Sequence, residues 1–400
     1  MPKKSVKALV KREILVWARE SAGFNLDEVE RSSALSKVRD WESGNAKPTI
    51  NQLRLLAKKY KRPLAVFYLQ ERPTDFQVIS DFRRLPETDS QRVSPALHLQ
   101  IRAAQERREI ALDLLAEMGE DIPQIPLSAS LNDDPEEVGA RVRSLLRVTE
   151  ADQYSWRSNR EAFNAWRAHI ELLGVLVFQM DNVPTGEASG FALSEMQLPT
   201  IAVNRKDVLS RRTFSLLHEF AHLLMAASGI SEFYIDVERS AEAQQIEVWC
   251  NAVAAAALIP AKMFMGADIV KDHDRATETW SDIEISELAH AFNMSKVSIV
   301  RRLLTLQLTS RGFYQFKEEQ YAEEYADYLI RKKAEDSKKE FGGKNMTNEA
   351  MSLLGRNFVR MVIEPYRDQK ITLSEASSYL NLKTRHISNV EKALMRPTIS

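Results

Sequence analysis

The sequence predicts a mainly α-helical chain with one small β-sheet, arranged as an N-terminal helix-turn-helix bundle, a central α+β domain and a C-terminal helical domain. Three observations carry this reading. Apolar residues such as Val10, Ile14, Leu15, Trp17 and Ala18 recur at helical spacing within residues 6–70, the mark of short helices with one buried stripe each. Three short β-rich apolar runs, Gly174–Phe178, Gly190–Leu193 and Thr200–Asn204, cluster just ahead of residue 210 and read as buried strands. From residue 282 the pattern returns to helices, interrupted by a strand candidate at Gly312–Phe316 and by Gly342-Gly343, the clearest linker.

The elements follow in order. In residues 1–72, Asn25-Leu26-Asp27 offers a cap for a second helix. A third runs from Ser33 to Glu42 and is stopped by Gly44 and Pro48. A fourth starts at Thr49 and sets Leu53, Leu56, Ala57 and Tyr60 on one face. Residues 73–150 read as a helical linker region: Ser94-Pro95 sets a helix start, and Pro135-Glu136-Glu137-Val138 opens another that runs to Leu146. A central domain, 151–275, holds the strands and the long apolar helices. A helical extension, 276–340, and a C-terminal helical module, 341–400, complete the chain.

Charge and cysteine content narrow the class. The net charge of −1 hides an asymmetry, because residues 1–62 carry fifteen Lys/Arg against seven Asp/Glu. Such a block is either a nucleic-acid footprint or a solvated helical face. The single cysteine, Cys250, excludes an intrachain disulfide. No apolar run approaches the roughly 20 residues that span a bilayer. Met1-Pro2-Lys3-Lys4-Ser5 lacks the apolar stretch of a secretory signal. A cytoplasmic setting is expected.

The chemistry concentrates at His218-Glu219-Phe220-Ala221-His222. Two histidines four apart on a helix lie on one face with converging imidazoles. That suits a tetrahedral zinc ion, and the Glu after the first His can reach a water on the metal rather than the metal itself. Phe214, Leu216, Leu217, Leu223 and Leu224 place the helix in a core. No further histidine follows at Ser228-Gly229-Ile230, so a third ligand must come from a second helix. Ser240–Leu258 offers Glu242 and Glu247, and spacing favours Glu247. The alanines at 254–257 would permit close helix–helix approach, although alanine is also simply good helix sequence. The reaction implied is metal-assisted amide hydrolysis: zinc lowers the pKa of a bound water to about 7 and polarises the scissile carbonyl. The strand Thr200–Asn204 is a candidate edge for an extended substrate. Tyr234 and His273 are candidate oxyanion donors by residue type.

Two resemblances add to this. Residues 170–265 resemble the ImmA/IrrE family of metallopeptidases through Phe214–Leu224, Glu247-x-x-Cys250-Asn251, Leu258-Ile259-Pro260 and the strands before the motif helix. The resemblance implies a zincin-like α+β fold, zinc (Zn2+) held by His218, His222 and Glu247, and Glu219 as catalytic base. It also implies a protein substrate, typically an Xre-type repressor cleaved to release stress, mobile-element or phage-defence genes. Cys250 stands where Ala is more usual and reads as a small packing residue. Residues 1–72 resemble the Xre (Cro/repressor-type) helix-turn-helix through Trp41-Glu42-Ser43-Gly44, Lys47-Pro48-Thr49 and Leu53–Leu69. Leu26 to Trp41 is about four residues shorter than that family's spacing, so its second helix or its turn must be truncated. DNA binding, docking and homodimerisation all stay open for this unit. Helix-turn-helix rhythms recur at 285–303, which either bind DNA or pack on the core, and at 371–392, in a module for sensing or partner binding. The rival reading is a DNA-binding regulator or antitoxin-like protein that uses the peptidase fold as a sensor.

Overall fold

The computed structural model describes residues 6–73, 93–226, 229–231, 241–274, 277–336 and 345–395. The chain divides into two compact units, Met1–Glu106 and Arg107–Ser400.

In the first unit, helices α1 (Arg12–Glu20), α2 (Leu26–Glu30), α3 (Val38–Ser43) and α4 (Ile50–Lys59) surround one core. Leu15, Ala18, Val29, Val38, Trp41, Leu53, Leu56, Tyr60 and Phe67 meet there. Capping boxes at Asn25/Glu28 and Thr49/Gln52 satisfy the orphan N–H groups of α2 and α4. The helix expected from Ser33 to Glu42 is split into a 3-10 turn, Ser33–Leu35, and the short α3. Helix α2 keeps only five residues. Helix α5 (Pro95–Met118) runs through the division between the units.

The second unit begins with α6 (Pro135–Leu145), α7 (Glu150–Ser155) and α8 (Asn159–Glu171), then a sheet. Its strands are β1 (Leu176–Met180), β2 (Gly190–Leu193), β3 (Thr200–Asn204) and β4 (Gly229–Ser231), in the order β1-β3-β2-β4. β3 pairs parallel with β1 and antiparallel with β2, and β4 pairs antiparallel with β2. Two sequence expectations change here. Thr200–Asn204 is an inner strand paired on both sides, so it has no free ladder for substrate. β4 was not foreseen, because three residues are too few to show alternation. Asn204 is fully buried, and its side-chain amide donates to the carbonyls of Val183, Pro184 and Ala188. It thereby fixes the loop that delivers β2.

Beyond the sheet come α9 (Leu209–Leu224), α10 (Ala241–Leu258), α11 (Ala261–Gly266), α12 (Asp268–Asp272), α13 (Asp282–Ala291), α14 (Lys296–Thr305) and α15 (Arg311–Asp336). The strand expected at Gly312–Phe316 is the first turn and a half of α15. Tyr314, Lys317 and Tyr321 are buried from it at spacings of three and four, so the burial is helical and the local β propensity of the run is overridden. The last helices are α16 (Met346–Leu354), α17 (Arg356–Arg367), α18 (Leu373–Tyr379) and α19 (Ile387–Leu394). The proposed Gly342-Gly343 linker lies outside the described residues. Helices α16 and α17 dock on the β1 side of the sheet. There Arg167 donates to Glu171 at 2.9 Å, to the Ser352 carbonyl at 2.7 Å and to the Val177 carbonyl. Gln179 also donates to Ser352 O at 2.7 Å, and Arg205 pairs with Glu349. Among the described residues, no helix is long and apolar enough to cross a membrane.

Candidate metal centre

Helix α9 is buried almost all round: Leu216, Leu217, His218, Glu219, Phe220, Ala221 and His222 are each at most 4% exposed. A helix in that setting must satisfy its own polar side chains. Thr213 and Ser215 do so by donating back to the carbonyls of Leu209 and Arg211. One face of α9 packs on β2 and β3, and another packs on α10.

Helix α10 carries Glu247, and its C-terminal end is held firmly. The last carbonyls of a helix have no partner within it. Here Arg143 takes Ala257 O at 2.9 Å, Gln153 takes Leu258 O at 2.8 Å and Arg302 takes Ile259 O at 2.8 Å. The two guanidiniums also complement the negative end of the helix dipole. Pro260 follows directly and prevents continuation. The alanine row has a partner the sequence did not suggest. Ala256 and Ala257 sit against Gly139 of α6, where an added Cβ would lie 2.6 Å from Ala256 Cβ.

These contacts bring His218, His222 and Glu247 together, with their ligand atoms within 4.8 Å of one another. The two Nε2 atoms are 3.1 Å apart. His218 Nε2 lies 3.3 Å from one Glu247 carboxylate oxygen, and His222 Nε2 lies 3.5 Å from the other. Ligands about 2.0–2.1 Å from a tetrahedral zinc are separated by edges of about 3.3–3.4 Å. The separations in this protein are of that size, with each imidazole nitrogen facing a different oxygen of the Glu247 carboxylate, and two imidazoles with one carboxylate are a zinc-type donor set. Burial alone would push His218 down, but the Glu247 carboxylate outweighs it and holds the ring above its ordinary value. Burial alone would raise Glu247. The two imidazoles outweigh it and hold its carboxyl far below the usual range. Asn251, one turn beyond Glu247, adds a smaller upward push on the His218 ring.

Glu219 is fully buried beside this triangle. The first residue of β2 makes its room: a Cβ on Gly190 would come 2.7 Å from Glu219 Oε1 and 3.0 Å from Ala202 O. Gly190 and Asn251 are the site residues that motif reading missed. A glycine inside a strand marks close backbone approach and would have flagged the first. The second stands in the pattern Glu247-x-x-Cys250-Asn251 that carries the family resemblance, with no role attached to it there.

The remaining candidates fall elsewhere. His273 stacks on Trp280 at 3.6 Å between ring centroids and pairs with Glu284 at 2.8 Å, so it is committed to packing. Tyr234 lies outside the described residues. Glu242 is on α10, but its side chain is outside the described ones. Cys250 is completely buried, and burial drives its thiol pKa well up, as expected of a packing residue.

Comparison with known proteins agrees with this geometry. Residues 170–304 match the family of M78 peptidases described as the IrrE N-terminal-like domain. The match supports a metallopeptidase domain of the ImmA/IrrE type in this segment. It begins in α8, covers the sheet, α9 and α10, and runs on through α14. No match is found among curated proteins.

Proposed function

We propose that the chain is a zinc-dependent endopeptidase that cuts a regulatory protein. His218, His222 and Glu247 hold the metal and Glu219 acts as general base. The observation that carries this is the His/His/Glu cluster, with imidazole nitrogens 3.1 Å apart and each within 3.5 Å of a Glu247 carboxylate oxygen, set beside a fully buried carboxylate on the motif helix. A zinc ion bound there would supply the Lewis acidity that polarises a scissile carbonyl and activates water. Glu219 takes a proton from the attacking water and returns it to the departing amine. Its burial leaves it without bulk water, which strengthens its pull on that proton. Gly190 keeps the carboxylate within reach of the metal site instead of displacing it. With β3 paired on both sides and β1 packed against α16, β4 is, among the described residues, the sheet edge on which an extended peptide segment can pair.

The resemblance to ImmA/IrrE proteins points to an Xre-type repressor as substrate. The test is co-expression of the chain with candidate repressors, comparing wild type with Glu219→Gln and measuring bound zinc in both. Cleavage by wild type alone, with equal zinc in the two proteins, is the expected outcome. Equal cleavage by both, or no zinc in either, would overturn the reading.

A further inference from the structure

Three segments share a helix-turn-helix rhythm, and only one leaves its second helix available. In the first unit, Arg39 on α3 is drawn to Asp27 at 3.0 Å and Glu30 at 3.3 Å, and Asp40 shares its exposed face. In the α13–α14 segment, Arg302 is buried on Ile259 O and Glu136, and Lys296 lies over Tyr321 of α15. That segment is spent on fixing α10.

The α18–α19 segment differs. Thr372 caps α18 in a capping box with Glu375. The helix ends at Tyr379, Asn381 turns the chain with φ 51°, and a 3-10 turn at Thr384–His386 leads into α19. Four residues, 380–383, separate α18 from that 3-10 turn, the length of the turn in DNA-reading helix pairs when the 3-10 turn counts as the start of the second helix. Ala376, Leu380, Leu382, Ile387 and Val390 are buried beneath it. Arg356 binds Leu394 O at 3.2 Å and Arg367 pairs with Glu391 at 3.4 Å, so α19 is anchored from its inner side. Arg385, Ser388, Asn389 and Lys392 lie at helical spacing on the opposite side, and all four are exposed. Among the described residues none of them is in an ion pair, and the stripe holds no carboxylate. Residues 356–392 contain seven Lys/Arg against four Asp/Glu.

We propose that this stripe is a duplex-DNA reading face, with α19 entering the major groove. Arg and Asn are the side chains that pair in two-point fashion with guanine and adenine edges there. Lys392 is placed for backbone phosphate, and Lys383 at the turn is exposed for the same use. The charge complementarity is to a polyanion, and the mixed amide–guanidinium stripe selects base edges over simple phosphate attraction. The proposal is independent of the peptidase reading.

The test uses the full chain and a duplex library with about 20 randomised base pairs, long enough for two half-sites, with fluorescence anisotropy over a salt series. Wild type and Glu219→Gln should bind one enriched sequence equally. The double variant Arg385→Ala/Lys392→Ala should bind it roughly tenfold or more weakly and lose about two units of the salt slope. Asn389→Ala should relax selection at one position while retaining most affinity. Circular dichroism and bound-metal content should not change in these surface variants. The proposal fails if the double variant binds as wild type does, if no duplex binds at low salt, or if double-stranded RNA of the same length competes equally.

Discussion

Two clusters of buried charge lie in the second unit, one at α9–α10 and one at the β1 side of the sheet, and they solve the same problem differently. Arg167 and Glu171 are both under 10% exposed, and burial pulls each toward neutrality. Yet the guanidinium finds a carboxylate and two carbonyls, so each of its three nitrogens meets an acceptor. At the other cluster, one carboxylate faces two imidazole nitrogens that also face each other at 3.1 Å, and each nitrogen donates only when it carries the proton. The first arrangement is complete in itself and acts as a clasp. The second is the donor set that, on the proposed function, takes a cation, which is the physical difference between a structural ion pair and a metal site.

Substitutions can break this comparison, and the largest effect is expected at Glu247. Glu247→Ala should abolish both metal binding and cleavage, whereas Glu219→Gln should lower cleavage by roughly 10²–10⁴-fold while metal content stays full. Metal analysis alongside a peptide-cleavage assay separates the two. Next in size is the clasp. Arg167→Ala should cost about 3–5 kcal/mol in urea unfolding, because it strands a buried carboxylate. Replacing Arg167 and Glu171 together by Met should cost far less, and a double variant as unstable as the single one would show that the pair is not self-compensating.

A smaller effect should come from the metal itself. At zinc concentrations about 100-fold above Kd, wild type should gain about 2.7 kcal/mol of stability, and the His222→Ala protein should gain little. Equal thermal shifts in both would place the binding elsewhere. The smallest effect lies outside both clusters, at Asp282. Hydrogen bonds from Tyr321 and Lys317 hold its carboxyl down at about 2. Because the folded value is depressed, its contribution is present above the unfolded value of about 3.9 and fades as pH falls toward about 2. Its side chain is half exposed, so Asp282→Asn should cost under about 1 kcal/mol at pH 6. That difference should shrink by pH 3 in urea titrations.

What the sequence disclosed divides along physical lines. His218, Glu219 and His222 were legible because a four-residue spacing on a helix is a local property. Glu247 followed from needing a third ligand on a neighbouring helix, together with a family resemblance. Strands β2 and β3 were read with their observed boundaries, and β1 was read two residues early because Gly174 adopts φ 81° in the turn before it. Strand order was not legible: which strand forms the edge depends on long-range pairing, and Thr200–Asn204 was misjudged for that reason. Gly312–Phe316 misled because its aromatic residues read as a strand, whereas in the helix only Tyr314 of the run is buried and Phe316 faces outward. Arg143, Gln153 and Arg302 read as ordinary polar residues, and only the fold shows that they tie down one end of α10.

Gly190 carries a consequence for how such a protein could lose its chemistry. A single methyl group there would force the Glu219 carboxylate to shift without altering the histidine motif or Glu247. On the proposed mechanism, such a variant would keep the metal donors and lose the placement of its general base. A pattern search for the motif would pass it as intact, and inspection of the strand opposite would be needed to tell a working enzyme from its inert descendant.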